Sequence, residues 1–333
     1  MPGNTKNFRL LFWGSLVLCL IVAVLSLCLG NVSFRLHEVV EALFGKGERI
    51  NINILKYARL PRTVACLMAG AALSVSGAVL QNVLANKLAS PSIIGVNAGA
   101  GFGVTLCCAF GFLSGWAVSV SAFLGSLLTV ILISVFSGKT GASKTTVILG
   151  GVALNSMMNA FSESVTVLSP DVAVLTTEFR VGGFSAVSAQ RLLPAAVFIL
   201  TALILLFTLF NELDVLTLGD ENAQGVGLEA GKYRILFLVL AALLAGSAVS
   251  FAGLLGFIGL IVPHFVRKIA GNESRRLLPL SAVIGAGFVT LCDLLARLIF
   301  MPHEFPVGIL MAIIGGPAFV WLLTHMKGGR RNG

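Results

Sequence analysis

The sequence predicts an all-α polytopic membrane protein with about ten transmembrane helices. Hydrophobic residues make up 57% of its 333 residues and charged residues only 11%, and its mean hydropathy is +0.97. Soluble domains contain about one quarter charged residues, so this composition excludes an ordinary soluble protein. The chain also contains long uncharged stretches, and about 20 apolar residues are enough to cross the hydrocarbon core of a bilayer as a helix.

The gaps between charged residues define the predicted spans. Residues 88–138 and 235–266 are uncharged, and each stretch is too long for one helix. We expect two helices in each, joined near residues 111–115 in the first and by a tight glycine turn at residues 253–259 in the second. The predicted spans are therefore 10–34, 63–86, two in 88–138, 145–167, 192–211, two in 235–266, 277–299 and 305–326.

The distribution of basic residues orients these spans. Ten spans place both termini on one side, and Lys and Arg are enriched in cytoplasmic loops. With the termini in the cytoplasm, the inner segments carry fourteen of the 23 basic residues and the outer segments carry nine. Six of those nine lie in the first outer segment, at residues 35–62, and the remaining ratio is fourteen to three. We therefore predict cytoplasmic termini and an extracytoplasmic position for the stretch KYARLPR, residues 56–62.

Glycine-rich stretches in this chain favour helix packing over nucleotide binding. SGKT at 137–140 imitates the end of a Walker A loop, but Ile133 stands where the first glycine should be, and no strand precedes GAGFG at 99–103. Small residues spaced by four instead give helices a face for close packing. One such face is predicted at Gly95, Gly99 and Gly103. The chain is thus expected to be no enzyme and to carry no catalytic residue, so its energy must come from a partner or an ion gradient.

Neither a metal site nor a disulfide framework is predicted. The six cysteines lie in apolar stretches without CxxC spacing, and we expect them to be small buried hydrophobic residues. They are Cys19, Cys28, Cys66, Cys107, Cys108 and Cys292. His264 lacks Cys and carboxylate partners at ligand spacing, so we expect it to order the inner end of its helix together with Arg267.

Three blocks of sequence carry a family resemblance. They are ARLPRTVACLMAGAALSVSGAVLQNVLANKLASPSIIGVNAGAGFG at 58–103, GFIGLIVPHFVRKIAG at 256–271 and PVGILMAIIGGPAFVWLL at 306–323. In this order they resemble the FecCD-type permeases, the membrane subunits of ABC importers for iron-siderophores, haem and cobalamin. The resemblance covers nearly the whole chain and implies a single permease domain, residues 1–333, with the type II ABC importer fold.

The same resemblance implies a set of partners. It implies a homodimer in the bacterial cytoplasmic membrane, with the translocation path at the interface, two ATP-binding subunits below and an extracytoplasmic substrate-binding protein above. ATP and Mg²⁺ are then used by the partner ATPase. The chain itself is expected to bind no cofactor and no nucleic acid.

The expected cargo is a chelated metal compound, with an iron-siderophore as the first choice and cobalamin or haem as alternatives. An ion-coupled secondary transporter is a further alternative, and it would carry ionisable groups near the bilayer midplane. The candidates are Glu163, which falls toward the outer end of its span, and Asp293. Because Arg297 follows Asp293 by four residues on one helical face, we interpret Asp293 as a paired structural carboxylate.

Arginines near the start of the second span are candidate docking residues for the binding protein. Arg59 and Arg62 are three residues apart, which places them on one side of a helix, and Pro61 is expected to limit the helix before it. The resemblance adds Arg297 at the outer end of the ninth span. In a homodimer these three residues would form a symmetric basic ring for the carboxylates of a two-lobed partner. The alternative is that they anchor helix ends at lipid headgroups.

The longest predicted cytoplasmic segment, about residues 212–234, contains five acidic and two basic residues. The resemblance implies that it is the coupling element, with two short helices that seat in a groove of the ATPase. Asp220 is expected to N-cap the second helix. The implied coupling residues are Leu218, Gly219, Asp220, Ala223 and Gly227. The alternative is an ordinary solvated loop.

Gate and vestibule residues are also implied by the resemblance. The candidates for the cytoplasmic gate are Asn86, Leu88, Lys144 and Thr145, and Lys144 departs from the small hydroxyl residue expected there. In TTEFRVGGFS, residues 176–185, the family usually shows apolar residues before the paired glycines, on a short helix at the outer vestibule. Arg180 stands there instead. Its guanidinium would guide an anionic chelate, the alternative being that it only faces solvent or a headgroup.

Overall fold

The computed structural model describes residues 5–140, 144–299 and 301–326, and the regular structure of these residues is helical, with no strand. A π-helical turn, Ile54–Arg59, joins the third helix to the fourth. In chain order the helices are α1 Thr5–Cys28, α2 Leu36–Leu43, α3 Arg49–Asn53, α4 Leu60–Val83, α5 Val96–Ala109, α6 Gly115–Thr140, α7 Lys144–Leu168, α8 Pro170–Val181, α9 Ala189–Thr208, α10 Phe210–Thr217, α11 Asp220–Gly225, α12 Ala230–Ala252, α13 Ile258–Ala270, α14 Ser274–Ile299 and α15 Val307–Met326. The all-α prediction is confirmed.

Ten of the described helices lie at the ten predicted spans, namely α1, α4, α5, α6, α7, α9, α12, α13, α14 and α15. Both long uncharged stretches are divided where the glycines predicted a break. α5 ends before the turn at residues 110–114, and α12 ends before the loop at residues 253–257.

Not every one of these helices is long enough to cross a bilayer alone. In the described part of the chain, five meet the length and hydropathy expected of a span: Phe8–Cys28, Arg49–Val83, Gly115–Ile133, Ala230–Ala252 and Ser274–Ile299. α9 and α10 make a sixth if they are one span bent by 64°. α5 and α13 have 14 and 13 residues. At 1.5 Å per residue they cover about 20 Å of the about 30 Å hydrocarbon core. The chain is a multi-pass membrane protein that includes short helices.

α4 lies at the centre of the molecule, packed against α12, α13 and α14, and most of its residues are buried. Glycines bring these helices close together. A Cβ atom on Gly70 would lie 2.2 Å from the carbonyl oxygen of Gly285 in α14, and one on Gly125 would lie 2.0 Å from that of Gly99. Both contacts are possible only without a side chain. The second contact joins α5 to α6 and confirms the predicted glycine face.

The helix preceding Pro61 is not interrupted, contrary to the expectation that Pro61 would limit it. α3, the π-helical turn and α4 run continuously from Arg49 to Val83. Within the turn, the N–H of Leu60 donates to the carbonyl of Leu55, five residues back. A proline has no N–H to donate, and its ring clashes with the carbonyl four residues before it in a regular helix. The wider π-helical turn lies directly before Pro61, where this conflict arises.

Polar side chains gather at the two ends of α4. At the N-terminal end of α4, the last residues of α1, the last residues of α14 and the loop before α15 meet around Arg62. We name this region the Arg62 end. At the C-terminal end of α4, the last residues of α13, the first residues of α14 and α10 meet around Arg267. We name this region the Arg267 end. The distance along α4 from Arg62 to Asn82 is about 30 Å at 1.5 Å per residue, which matches the thickness of the hydrocarbon core.

Candidate functional site

The Arg62 end contains a cluster of charged side chains joined by ion pairs. Arg62, in the first turn of α4, donates to the carboxylate of Asp293 in α14, with Nη2 to Oδ1 at 3.0 Å and Nε to Oδ2 at 3.2 Å. Its Nη1 donates to Oε2 of Glu304 at 2.8 Å. The Asp293 side chain is 1% exposed and that of Glu304 is 46% exposed. Arg62 therefore bridges a buried carboxylate and an exposed one.

Asp293 also pairs with Arg297, one turn later on α14, which confirms the predicted pair. Nε of Arg297 lies 3.1 Å from Oδ2 of Asp293. Nη2 of Arg297 donates to Oγ of Ser26 in α1 at 2.8 Å, and both residues are buried. One buried carboxylate thus lies between two guanidinium groups. This arrangement supports a structural role for Asp293.

Arg59 is buried beneath the end of α1. Its Nη1 donates to the carbonyls of Leu27 and Cys28 at 2.6 and 3.0 Å, and its Nη2 donates to the carbonyl of Val32. The guanidinium carbon lies 4.5 Å from the centre of the Phe34 ring. Because the last carbonyls of a helix have no partner within it, Arg59 satisfies the C-terminal end of α1.

The three candidate docking arginines therefore differ in position. Arg59 and Arg297 do not project from an exposed rim, contrary to the expectation, since groups of their own chain bury both and use their donors. Arg62 retains a link to the exposed Glu304. A docking role for these residues stays a prediction, and Arg62 is the residue best placed for it.

A cavity of about 450 Å³ opens beside this cluster, between α8, residues 182–185 and the loop before α15. Its wall is partly apolar, with Phe184 and Phe305 among its lining residues. The polar lining residues are Arg62, Thr177, Glu178, Ser185 and Glu304. Nothing in the sequence singled out Glu178 or Glu304, because each is a single acidic residue outside any motif of paired carboxylates. The nearest signals were the position of Glu304 directly before the last predicted span and that of Glu178 within TTEFRVGGFS.

Arg180 lies on α8, which is the short helix expected before the paired glycines. Its side chain is exposed, and it is not among the residues that line the cavity. α8 contributes Thr177, Glu178 and Val181 to that wall instead. Guidance of an anionic substrate by Arg180 stays a prediction.

The two short helices that were expected in the segment 212–234 are present as α10, which begins two residues earlier at Phe210, and α11. Leu218 and Val226 flank α11 and are 65% and 71% exposed, whereas Ala223 within α11 is fully buried. Ala223 therefore packs inside the chain. The apolar surface available to a partner comes from Leu218 and from Val226, which the sequence had not indicated.

Asp220 does not N-cap α11, and that prediction is wrong. Gly219 occupies the N-cap position with φ 100°, a conformation that favours glycine. Asp220 forms an ion pair with Arg234 of α12 instead. Gly227 also has a positive φ, of 82°, in the connection to α12. Both glycines thus shape the loop, and a role of these residues in ATPase coupling stays a prediction.

The predicted gate residues are only partly described. Oδ1 of Asn86 accepts the N–H of Leu88 at 2.8 Å and closes the turn after α4. Lys144 and Thr145 begin α7, and their side chains lie outside the described part of the structure. The gate assignment stays a prediction.

Metal-ligating residues are dispersed. Within residues 5–140, 144–299 and 301–326, no three His, Cys, Asp or Glu side chains form a group that could hold a metal ion. The six cysteines are unpaired, and all but Cys28 are buried, as small hydrophobic residues would be.

Comparison with known proteins assigns the family. The sequence profile of the FecCD transport family matches residues 18–325. The chain belongs to the FecCD transport family. The Fe(3+)-citrate import system permease protein YfmE of Bacillus subtilis is 33% identical, over 92% of this chain and 92% of that protein. The hemin transport system permease protein HmuU of Yersinia pestis is 33% identical, over 98% of each chain.

A solved structure agrees with this FecCD assignment. It is an inward-facing metal-chelate type ABC transporter, which superimposes with a TM-score of 0.84 and 31% sequence identity, over 94% of this chain and 98% of that one. The chain therefore has the fold of an ABC importer permease. FecCD proteins are transport subunits, so the chain is not a catalytic enzyme.

Proposed function

We propose that this FecCD chain is the permease subunit of an ABC importer that carries a chelated iron compound, an iron-siderophore, into the cytoplasm. The match along nearly the whole chain to permeases named for ferric citrate and hemin import carries the proposal of an iron chelate, and the siderophore is our choice within that class. Those two cargoes differ in chemistry but share iron. Haem and cobalamin are the alternative cargoes.

The proposed importer is a homodimer of this chain with two ATP-binding subunits and an extracytoplasmic substrate-binding protein. The excess of Lys and Arg in the predicted inner segments supports cytoplasmic termini, in a bacterial cytoplasmic membrane. The ATPase docks at the Arg267 end, on the segment 212–234, where Leu218 and Val226 are exposed. ATP and Mg²⁺ belong to that ATPase, and this chain binds no cofactor.

The binding protein docks at the Arg62 end in this proposal. Glu304 is exposed and holds one nitrogen of Arg62, so a carboxylate of the binding protein competes with Glu304 for that guanidinium. Arg presents a planar fork that suits such an exchange between carboxylates. Charged groups at the rim of an interface contribute more to orientation and association rate than to affinity.

Two measurements on purified proteins test the proposal. This chain alone is expected to hydrolyse no ATP, whereas its assembly with the cognate ATPase hydrolyses ATP faster when the loaded binding protein is added. Native mass spectrometry of that binding protein, isolated with its ligand, identifies the cargo. A ferric siderophore supports the proposal and a cobalamin or haem ligand overturns the choice of cargo. A chain that assembles with no ATPase contradicts the importer itself.

A further inference from the structure

A chain of polar contacts runs across the Arg267 end and begins at α10. The carboxylate of Asp214, in α10, accepts the backbone N–H of Ser274 at 3.0 Å to Oδ1 and 3.2 Å to Oδ2. Ser274 is the first residue of α14 and is fully buried. Its Oγ accepts Nδ2 of Asn82 at 3.1 Å. Asp214 thus satisfies the start of one long helix and is linked through it to α4.

The chain of contacts continues from α4 into α13. Oδ1 of Asn82 accepts Nη2 of Arg267 at 2.8 Å, and Nη1 of Arg267 donates to Oε1 of Gln81. Nε2 of Gln81 in turn donates to the carbonyl of Gly259 at 3.0 Å. Arg267 and Gly259 lie near opposite ends of α13. The contacts therefore fix both the end and the start of this short helix to α4.

Arg267 is partly buried and, like Arg59, it is bound only by neutral groups in the part of the chain that the structure describes. Among the described residues it forms no ion pair, in contrast to Arg62 and Arg297. The side-chain amide oxygens of Gln81 and Asn82 accept hydrogen bonds from its guanidinium instead. A partly buried charge held by neutral groups is an expensive way to gain stability, since apolar packing often does as well. The arrangement is better suited to fixing relative positions.

α10 needs such a link because the helix before it, α9, does not continue straight into α10 and so does not fix its position. The axis bends by 64° at the break between α9 and α10. The inward face of α10 packs through Leu213 and Leu216, which are buried. Apolar packing of this kind is not directional, whereas the hydrogen bonds of Asp214 define where α10 lies relative to α14 and α4.

We infer that Asp214, Ser274, Asn82, Arg267 and Gln81 form a relay that transmits movement of the segment 212–234 to α13 and the inner end of α4. This inference rests on the proposed function, in which that segment contacts the ATPase. The five are positioning residues, because they act on the helices and not on the cargo. When α10 shifts, the start of α14 and then Asn82 and Arg267 move with it, since each bond in a partly buried network constrains the next.

The test measures ATP hydrolysed per chelate imported, in vesicles that contain the complete importer. Asp214→Ala removes the first link and leaves the rest of the network intact, and Asn82→Leu removes the middle link. Coupling energies between sites are typically 1–3 kcal/mol, so we expect this ratio to rise at least about fivefold in both variants. Assembly with the ATPase should stay near the wild-type level in Asn82→Leu, because Asn82 lies in α4, outside the segment 212–234.

Matched variants separate a relay from mere stability. Thr208→Ala removes a hydroxyl that donates to the carbonyl of Leu205 at the end of α9, outside both the relay and the segment 212–234. Ser76→Ala removes a buried hydrogen bond of α4, from Oγ to the carbonyl of Ala241 at 2.6 Å, that is also outside it. Both should keep the wild-type ratio. The inference is overturned if Asp214→Ala and Asn82→Leu import with the wild-type ratio, even when both are less heat-stable. Failure of the wild-type assembly to import any chelate would contradict the proposed function instead.

Discussion

Arg62 and Asp293 lie 231 residues apart in the sequence and form an ion pair of 3.0 Å between Nη2 and Oδ1. The pair joins the first turn of α4 to α14, and Arg297 holds the other oxygen of the same carboxylate. Removing one partner of a buried ion pair leaves an uncompensated charge in the interior. The Arg62 end should therefore be sensitive to loss of Asp293 and tolerant to changes at its exposed edge.

Asp293→Asn should destabilise the protein, because two guanidinium groups then lose their buried counter-charge. Loss of one partner of a buried pair typically costs about 3–5 kcal/mol. Thermal unfolding of the purified protein in detergent measures the effect. Glu304→Gln is the control, since an exposed ion pair contributes at most about 1 kcal/mol. Equal melting temperatures for the two variants would contradict the structural role of Asp293.

Arg62→Gln should slow association with the substrate-binding protein by about tenfold at low salt, because charged rim groups steer docking. The difference should shrink at high salt, where exposed charges are screened. Lys56→Gln removes an exposed positive charge six positions earlier and should change the rate by less than about twofold. Surface plasmon resonance at two salt concentrations measures both rates.

Glu304→Gln should change the association rate in the opposite direction to Arg62→Gln, at the same docking surface. It removes the carboxylate that competes for Arg62, so association should become faster than in the wild type. An unchanged rate in both Arg62→Gln and Glu304→Gln would show that the cluster only holds α4, α14 and the loop before α15 together.

Leu218→Glu should weaken assembly with the ATPase, because it places a charge on an apolar side chain that is 65% exposed beside α11. Leu113→Glu makes the same change at a leucine that is 55% exposed, in the loop between α5 and α6. Co-purification of the ATPase should fall for the first variant only, with equal amounts of both in the membrane. Equal retention of the ATPase by both variants would remove Leu218 from the interface. Leu218 is a cleaner probe than Gly227, where any side chain strains a positive φ.

Gly70→Ala should destabilise the bundle, since the new Cβ would lie 2.2 Å from the carbonyl oxygen of Gly285. Overpacking of this kind costs about 1–3 kcal/mol. Gly101→Ala is the matched control, because nothing lies within 4 Å of a Cβ at that position. Melting temperatures in detergent should fall for Gly70→Ala and stay near the wild type for Gly101→Ala. A wild-type melting temperature for Gly70→Ala would mean that α4 and α14 can move apart at no cost.

The helices could be predicted from the sequence because charged residues are excluded from the membrane core. The gaps between charges therefore located the ten described helices that lie at predicted spans, and the pairing of Asp293 with Arg297 followed from a spacing of four on one helix. The burial of Arg59 could not be predicted, because its carbonyl partners lie 27 to 32 residues away, at the end of α1 and just beyond it. Arg267 and its amide partners are separated by more than 180 residues. The sequence around a charged residue beside a span end does not distinguish a side chain that faces water from one that distant partners bury.

Uptake of radioactive iron by vesicles that contain this chain, its ATPase and its binding protein tests the central claim most directly. The iron is supplied outside as a ferric siderophore with the binding protein, and ATP is enclosed inside with ionophores that dissipate proton and sodium gradients. We predict uptake that requires ATP and the binding protein and that persists with the ionophores present. Uptake without ATP that stops when the gradients are dissipated, or no uptake by the complete assembly, would contradict the account.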